Sequence, residues 1–185
     1  ASDVYKRQIY GRSKGAELVL AGQSILEDVQ CLVLNSPSNV IFEGIKGKLN
    51  SHSSSWTYLQ KELPYQKFQL GNYLLNKFFG KHIPEDSRAQ IDVSKIASPL
   101  LLLGSDVDEI WNASSAIDDI ISHYKGKSIL FKKYHETGHM LTIAYQPNHR
   151  YRKDWHLLMK ESVDSWFTTI NFFDIHLKNT KPTRS

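Results

Sequence analysis

Three residue types in this chain could together activate a hydroxyl for attack on a carbonyl. Ser13 sits in G-x-S-x-G with Gly11 and Gly15. Asp106 and Asp108 follow the apolar run LLLLG, and His135 and His139 stand in HETGH, just beyond SILFKKY. A serine hydroxyl is a poor nucleophile until a base takes its proton. The base in turn needs a carboxylate to fix its tautomer and stabilise the imidazolium. Serine, acid and histidine occur here in that order along the chain, one of the orders in which such triads are known. G-x-S-x-G alone arises by chance in roughly one chain in twenty of this length, so its context decides. The motif is useful at a sharp strand-to-helix turn that exposes the hydroxyl. A serine there can equally serve as a helix cap, and an aspartate in such a loop can be only a turn residue or cap.

HETGH also fits H-E-x-x-H, the zinc-protease pattern, with Glu136 as base and Glu161 as a third ligand. That pattern works on a helix, where residues four apart share a face. Here a strand runs into it and Thr137-Gly138 disfavours helix, so a zinc hydrolase is the lesser reading. Of eight histidines, six follow Asp108. His123, His156 and His176 fall on expected helices, and His149 lies in a polar stretch. His139 leads on position and His135 is second.

The elements that must hold these residues alternate. A strand tail ends at Tyr10. Residues 16–26 have helical spacing with Leu18, Ala21, Ile25 and Leu26 inward. QCLVLN (30–35) reads as a buried strand. PLLLLGSD (99–106) and SILFKKY (128–134) read likewise. ASSAIDDIISHY (113–124) is a helix with Ile117, Ile120 and Ile121 inward. A last helix over 155–173 carries Leu158, Met159, Val163, Trp166, Phe167 and Ile170. Between the second and third strands, 36–98 is polar and irregular, an excursion with no strong strands, in which YLLNKFF could form a short helix. The alternation predicts an α/β fold with a parallel sheet.

Composition narrows the function classes. The 185 residues carry a formal charge of +4, with Lys and Arg scattered. KGK at 46–48 and 125–127 and RYRK at 150–153 read as solvated loops, not a nucleic-acid face. Cys31 is the single cysteine, so no disulfide forms within the chain. That fits a reducing, cytoplasmic setting. No apolar run reaches the ~20 residues of a membrane span, and no signal-peptide pattern opens the chain. ASDVYKRQ (1–8) lacks a starting Met and forms no coherent element; it reads as a non-native leader. The natural protein is then expected to continue upstream of a partial hydrolase domain over 9–177, with a polar tail at 178–185.

The chain resembles the C-terminal α/β-hydrolase domain of the acyl-CoA thioesterase and bile-acid-CoA:amino acid N-acyltransferase family. The resemblance is carried by YGRSKGAELVL, SNVIFEGIKG, SSWTYLQKELPY, IDVSKIASPLLLLGSDVDEIW, YHETGH and DSWFTTINFF, in the family's order. It implies Ser13 as nucleophile, His139 as base and Asp108, three residues before Trp111, as acid, with Asp106 the second choice. It implies the Lys14 backbone N–H as one oxyanion donor, an acyl-CoA substrate, and neither metal nor redox cofactor. Serine rather than cysteine at the elbow favours hydrolysis over transfer to an amino acid. An oxygen-ester or dienelactone-like substrate is the other reading on the same fold. The second oxyanion donor of such folds comes from an earlier strand, expected upstream. A half-sheet expressed by itself is expected to be insoluble or inactive, because its edge and face are apolar.

Overall fold

The structure is a computed structural model that describes residues 7–23, 29–47, 49–67, 86–139, 141 and 155–178. Four parallel strands form the central sheet in the order β1 (Arg7–Arg12), β2 (Val29–Asn35), β7 (Leu100–Ser105), β8 (Ile129–Tyr134). Arg7 and Gln8, read from sequence as part of a leader without structure, pair with Val29 and Cys31 of β2. The strand β1 also runs two residues past Tyr10.

Strand side chains alternate between faces, and both faces of the two central strands, β2 and β7, are covered, whereas Leu130 and Phe131 on the edge strand β8 are about half exposed. Leu32, Leu34, Leu100 and Leu102 point to one side. There they meet Ala16, Val19 and Leu20 of helix α1 (Lys14–Gly22) and Ile117 and Ile120 of helix α2 (Ala113–His123). Cys31, Val33, Leu101 and Leu103 point to the other, against Tyr134, Leu141 and Phe172 of helix α3 (Trp155–Lys178). Unbroken apolar runs such as LLLL are what a doubly covered parallel strand requires. Each fully buried Leu contributes about 1.5–3 kcal/mol.

Two helix faces differ from the sequence expectation. In α1 the buried residues are Ala16, Glu17, Val19 and Leu20, whereas Leu18 is exposed. Ile25 and Leu26 lie outside the described residues. In α3 the buried stripe is Ser162, Ser165, Thr169 and Phe172, and Trp166, Phe167 and Ile170 face outward. The hydroxyls tolerate burial because Ser165 and Thr169 donate back to the carbonyls of Ser162 and Ser165.

The excursion is more ordered than its composition implies. Strand β3 (Glu43–Lys46) pairs antiparallel with β4 (Leu49–Ser54), and β5 (Thr57–Tyr58) with β6 (Lys61–Glu62). Short 3-10 turns follow at Ser87–Ala89 and Val93–Lys95, each capped by the preceding aspartate. YLLNKFF and RYRK lie outside the described residues.

Candidate active site

Ser13 occupies the single residue between the end of β1 and the start of α1, with φ 53° and ψ −124°. Backbone in such a region costs about 1–3 kcal/mol and persists only where its surroundings impose it. Here the Ser13 N–H donates to the Asn35 carbonyl at 2.9 Å, and the Ser13 carbonyl accepts from Ala16 and Glu17. The strand end and helix start come so close that a Cβ on Gly11 would lie 2.7 Å from the Gly15 carbonyl oxygen. Gly15 itself has no described atom within 4 Å of its Cβ position. The crowding at this turn therefore falls on Gly11.

The Ser13 side chain makes no cap hydrogen bond to α1. Its Oγ lies 2.8 Å from Nε2 of His139. On the other side of the imidazole, Nδ1 lies 2.8 Å from Oδ2 of Asp108. With the Nδ1 proton held by the carboxylate, Nε2 is left to accept the Ser13 O–H. The Asp108 and His139 side chains are 1% and 4% exposed. Asp108 Oδ1 also accepts the backbone N–H groups of Ile110 and Trp111, at 2.8 and 3.0 Å. These bonds fix the carboxylate's direction.

His139 is held from every side. Its N–H donates to Glu109 Oε2 at 2.8 Å, and its carbonyl accepts from Ser36 Oγ at 2.7 Å. Trp111 packs edge-on against its ring and donates from Nε1 to the Pro37 carbonyl. Glu109 and Ser36 escaped the sequence reading. Glu109 directly follows Asp108, which could have flagged it, but nothing marked Ser36.

The two second choices, Asp106 and His135, pair with each other at 2.8 Å on the surface. Neither meets Ser13. Glu161, weighed above as a zinc ligand, instead ties down the histidine loop. Its carboxylate accepts the N–H groups of His135, Glu136 and Thr137 and the Thr137 hydroxyl, at 2.8–3.0 Å in the shortest contact with each. Burial works against its ionisation, but these donors together hold its carboxyl below the usual glutamate range. HETGH is a loop, not a helix, and both ring nitrogens of His139 are engaged. Its residues do not converge on one point as a zinc site needs. Cys31 lies in mid-strand, and burial pushes its thiol up to about 11.

A parallel sheet that presents serine, aspartate and histidine at three strand ends, in that chain order, has the α/β-hydrolase arrangement. Solved structures share the fold at low identity. An esterase domain from Rhodothermus marinus matches at TM-score 0.52 and 13% identity, over 92% of this chain and 61% of its own. A monoacylglycerol lipase from Paleococcus ferrophilus matches at 0.52 and 13%, over 92% and 69%. An acylaminoacyl peptidase from Pyrococcus horikoshii matches at 0.55 and 12%, over 100% and 26%. This chain thus spans about three-fifths of the Rhodothermus domain. No curated protein matches it by sequence. The chain belongs to the BAAT / acyl-CoA thioester hydrolase C-terminal family, which matches residues 4–179. Among the described residues no helix is long and apolar enough to cross a membrane.

Proposed function

We propose that the protein carrying this chain hydrolyses acyl-CoA thioesters through an acyl-enzyme on Ser13. The observation that carries the reading is the hydrogen-bonded series Ser13, His139, Asp108; the family supplies the substrate class. His139 Nε2 takes the Ser13 proton as Oγ bonds to the thioester carbonyl carbon. The oxyanion is met by the Lys14 N–H, which opens α1 and so has no partner within the helix. One such donor is worth about 10²–10³ in kcat. The C–S bond then breaks and the CoA thiolate leaves with the proton from His139. Water adds to the acyl-enzyme, giving its proton to His139, and the free acid departs as Ser13 is reprotonated. Asp108 holds the imidazolium throughout.

A fluorophosphonate probe applied to the protein carrying this chain tests the assignment. Ser13→Ala is expected to abolish both labelling and turnover. Labelling equal to that of the parent would sink it. Comparing kcat/KM on CoA thioesters and on simple oxygen esters tests the substrate class, the thioester being the better substrate on this reading. Product formed only when glycine or taurine is supplied would replace hydrolysis by transfer.

A further inference from the structure

Directly after the nucleophile, the inward face of α1 breaks its apolar pattern. Glu17 is fully buried among Ala16, Val19 and Leu20. Lys14 Nζ lies 2.6 Å from Glu17 Oε1 and donates to the Phe42 carbonyl at 3.1 Å. The Trp56 indole N–H donates to the same Oε1 at 2.8 Å. The Lys14 ammonium stands 5.9 Å from the ring centroids of both Phe42 and Trp56. Burial pushes the Lys14 ammonium down and the Glu17 carboxyl up, and their mutual hydrogen bond opposes both shifts.

Such a pair is a poor stability device. Desolvating two charges costs about as much as their attraction returns, and an apolar pair of similar volume often does as well or better. Its effect lies in direction instead. Lys14 Nζ and Glu17 Oε1 together tie the first turn of α1 to the Phe42 carbonyl and the Trp56 indole, and so set how that turn sits against the excursion. Phe42 stacks on Trp111 at 5.5 Å, and Trp111 meets His139. One packed series therefore runs from the residue after the nucleophile to the base.

We propose that the Lys14–Glu17 pair, closed by Trp56 and Phe42, is a positioning device that aims the Lys14 backbone N–H at the oxyanion. It rests on the acyl-enzyme reading above. Two of the three ammonium donors are engaged, by the Glu17 carboxylate and the Phe42 carbonyl.

The test uses the protein carrying this chain, with a CoA thioester as substrate and three variants. Glu17→Gln keeps an acceptor but removes the charge. Lys14→Met with Glu17→Leu replaces the pair by apolar groups. Ser13→Ala is assayed beside them. The expected result is a fall in kcat of about 10–100-fold in Glu17→Gln and in the double variant. KM stays within about threefold, and the double variant melts no lower than the parent. Full kcat in either folded variant overturns the proposal, as does a rise in KM at unchanged kcat. Failure of both to fold also overturns it, since the pair would then be structural. Turnover surviving in Ser13→Ala defeats the acyl-enzyme reading itself. Loss of turnover there, with unaffected pair variants, defeats only the positioning role.

Discussion

Trp111 stands edge-on to His139, with ring centroids 4.5 Å apart at 84°. The same indole stacks on Phe42 and anchors to the Pro37 carbonyl. Its edge-on contact opposes rotation of the imidazole out of line with Ser13. Trp111→Ala is expected to cost about 3–5 kcal/mol of stability, the range for buried Trp, and to lower kcat about tenfold or more. Trp111→Phe retains the ring contact and loses one hydrogen bond, about 1 kcal/mol. Urea unfolding and steady-state kinetics on the two variants check the order.

The two aspartates of DVDEIW separate cleanly. Asp108 holds His139, whereas Asp106 pairs with exposed His135. Asp108→Asn removes the charge that stabilises imidazolium and permits the wrong tautomer. The expected loss is about 10³–10⁴ in kcat. Asp106→Asn is expected to change kcat by less than about threefold, as befits an exposed pair. Rates in the opposite order would exchange the two assignments.

Glu161 gives the histidine loop an acid-sensitive tether. Its carboxyl is held below the usual range, so it is depressed in the folded state relative to the unfolded value of about 4.3. A depressed carboxylate contributes stability that is present above that unfolded value and lost as pH falls through the folded one. Tm of the parent should exceed that of Glu161→Gln at pH 7. The gap should close as pH is lowered from about 5 to about 3. A gap independent of pH would mean that the four donors do not favour the charged form.

Gly11 and Gly15 look equivalent in G-x-S-x-G and are not. A Cβ on Gly11 would press on backbone atoms of Gly15 and Ala16 at 2.7–2.9 Å, which cannot swing away. Gly11→Ala is expected to cost about 1–3 kcal/mol or more and to displace Ser13, lowering activity. Gly15→Ala meets open space in a helix and is expected to be neutral or to stabilise by up to about 1 kcal/mol. Thermal melts of the two variants decide it.

The sheet was legible because QCLVLN and LLLLG are continuous apolar runs, the pattern of strands covered on both faces, and SILFKKY is rich in strand formers. Ser13 and His139 stood out through chain order and their places at strand ends, and Asp108 only through the resemblance, by its spacing to Trp111. Asp106 and Asp108 remained ambiguous from the residues alone, because the distinction lies in which carboxylate meets the ring, not in spacing. Helix periodicity misled at Leu18, Trp166, Phe167 and Ile170. An apolar stripe was assumed to face inward, while in α3 self-satisfied hydroxyls face the sheet. The β5–β6 hairpin gave no signal, since its turn residues Leu59 and Gln60 adopt φ 49° and 63°, where Asn-Gly would be expected. The Lys14–Glu17 pair was invisible too; an i,i+3 pair on a helix reads as a solvated surface bridge.

The excursion leaves the sheet after Asn35 and returns at Leu100, yet β2 and β7 are direct neighbours in the sheet. In an engineer's vocabulary it is a cartridge plugged between two fixed rails. Both of its ends are seated. Phe42 and Trp56 are the pins that bear on Lys14, Glu17 and Trp111, and Ile91, Val93 and Ile96 are built into the core beside Leu100 and Leu102. Grafting a new segment should therefore keep residues 36–66 and 86–98.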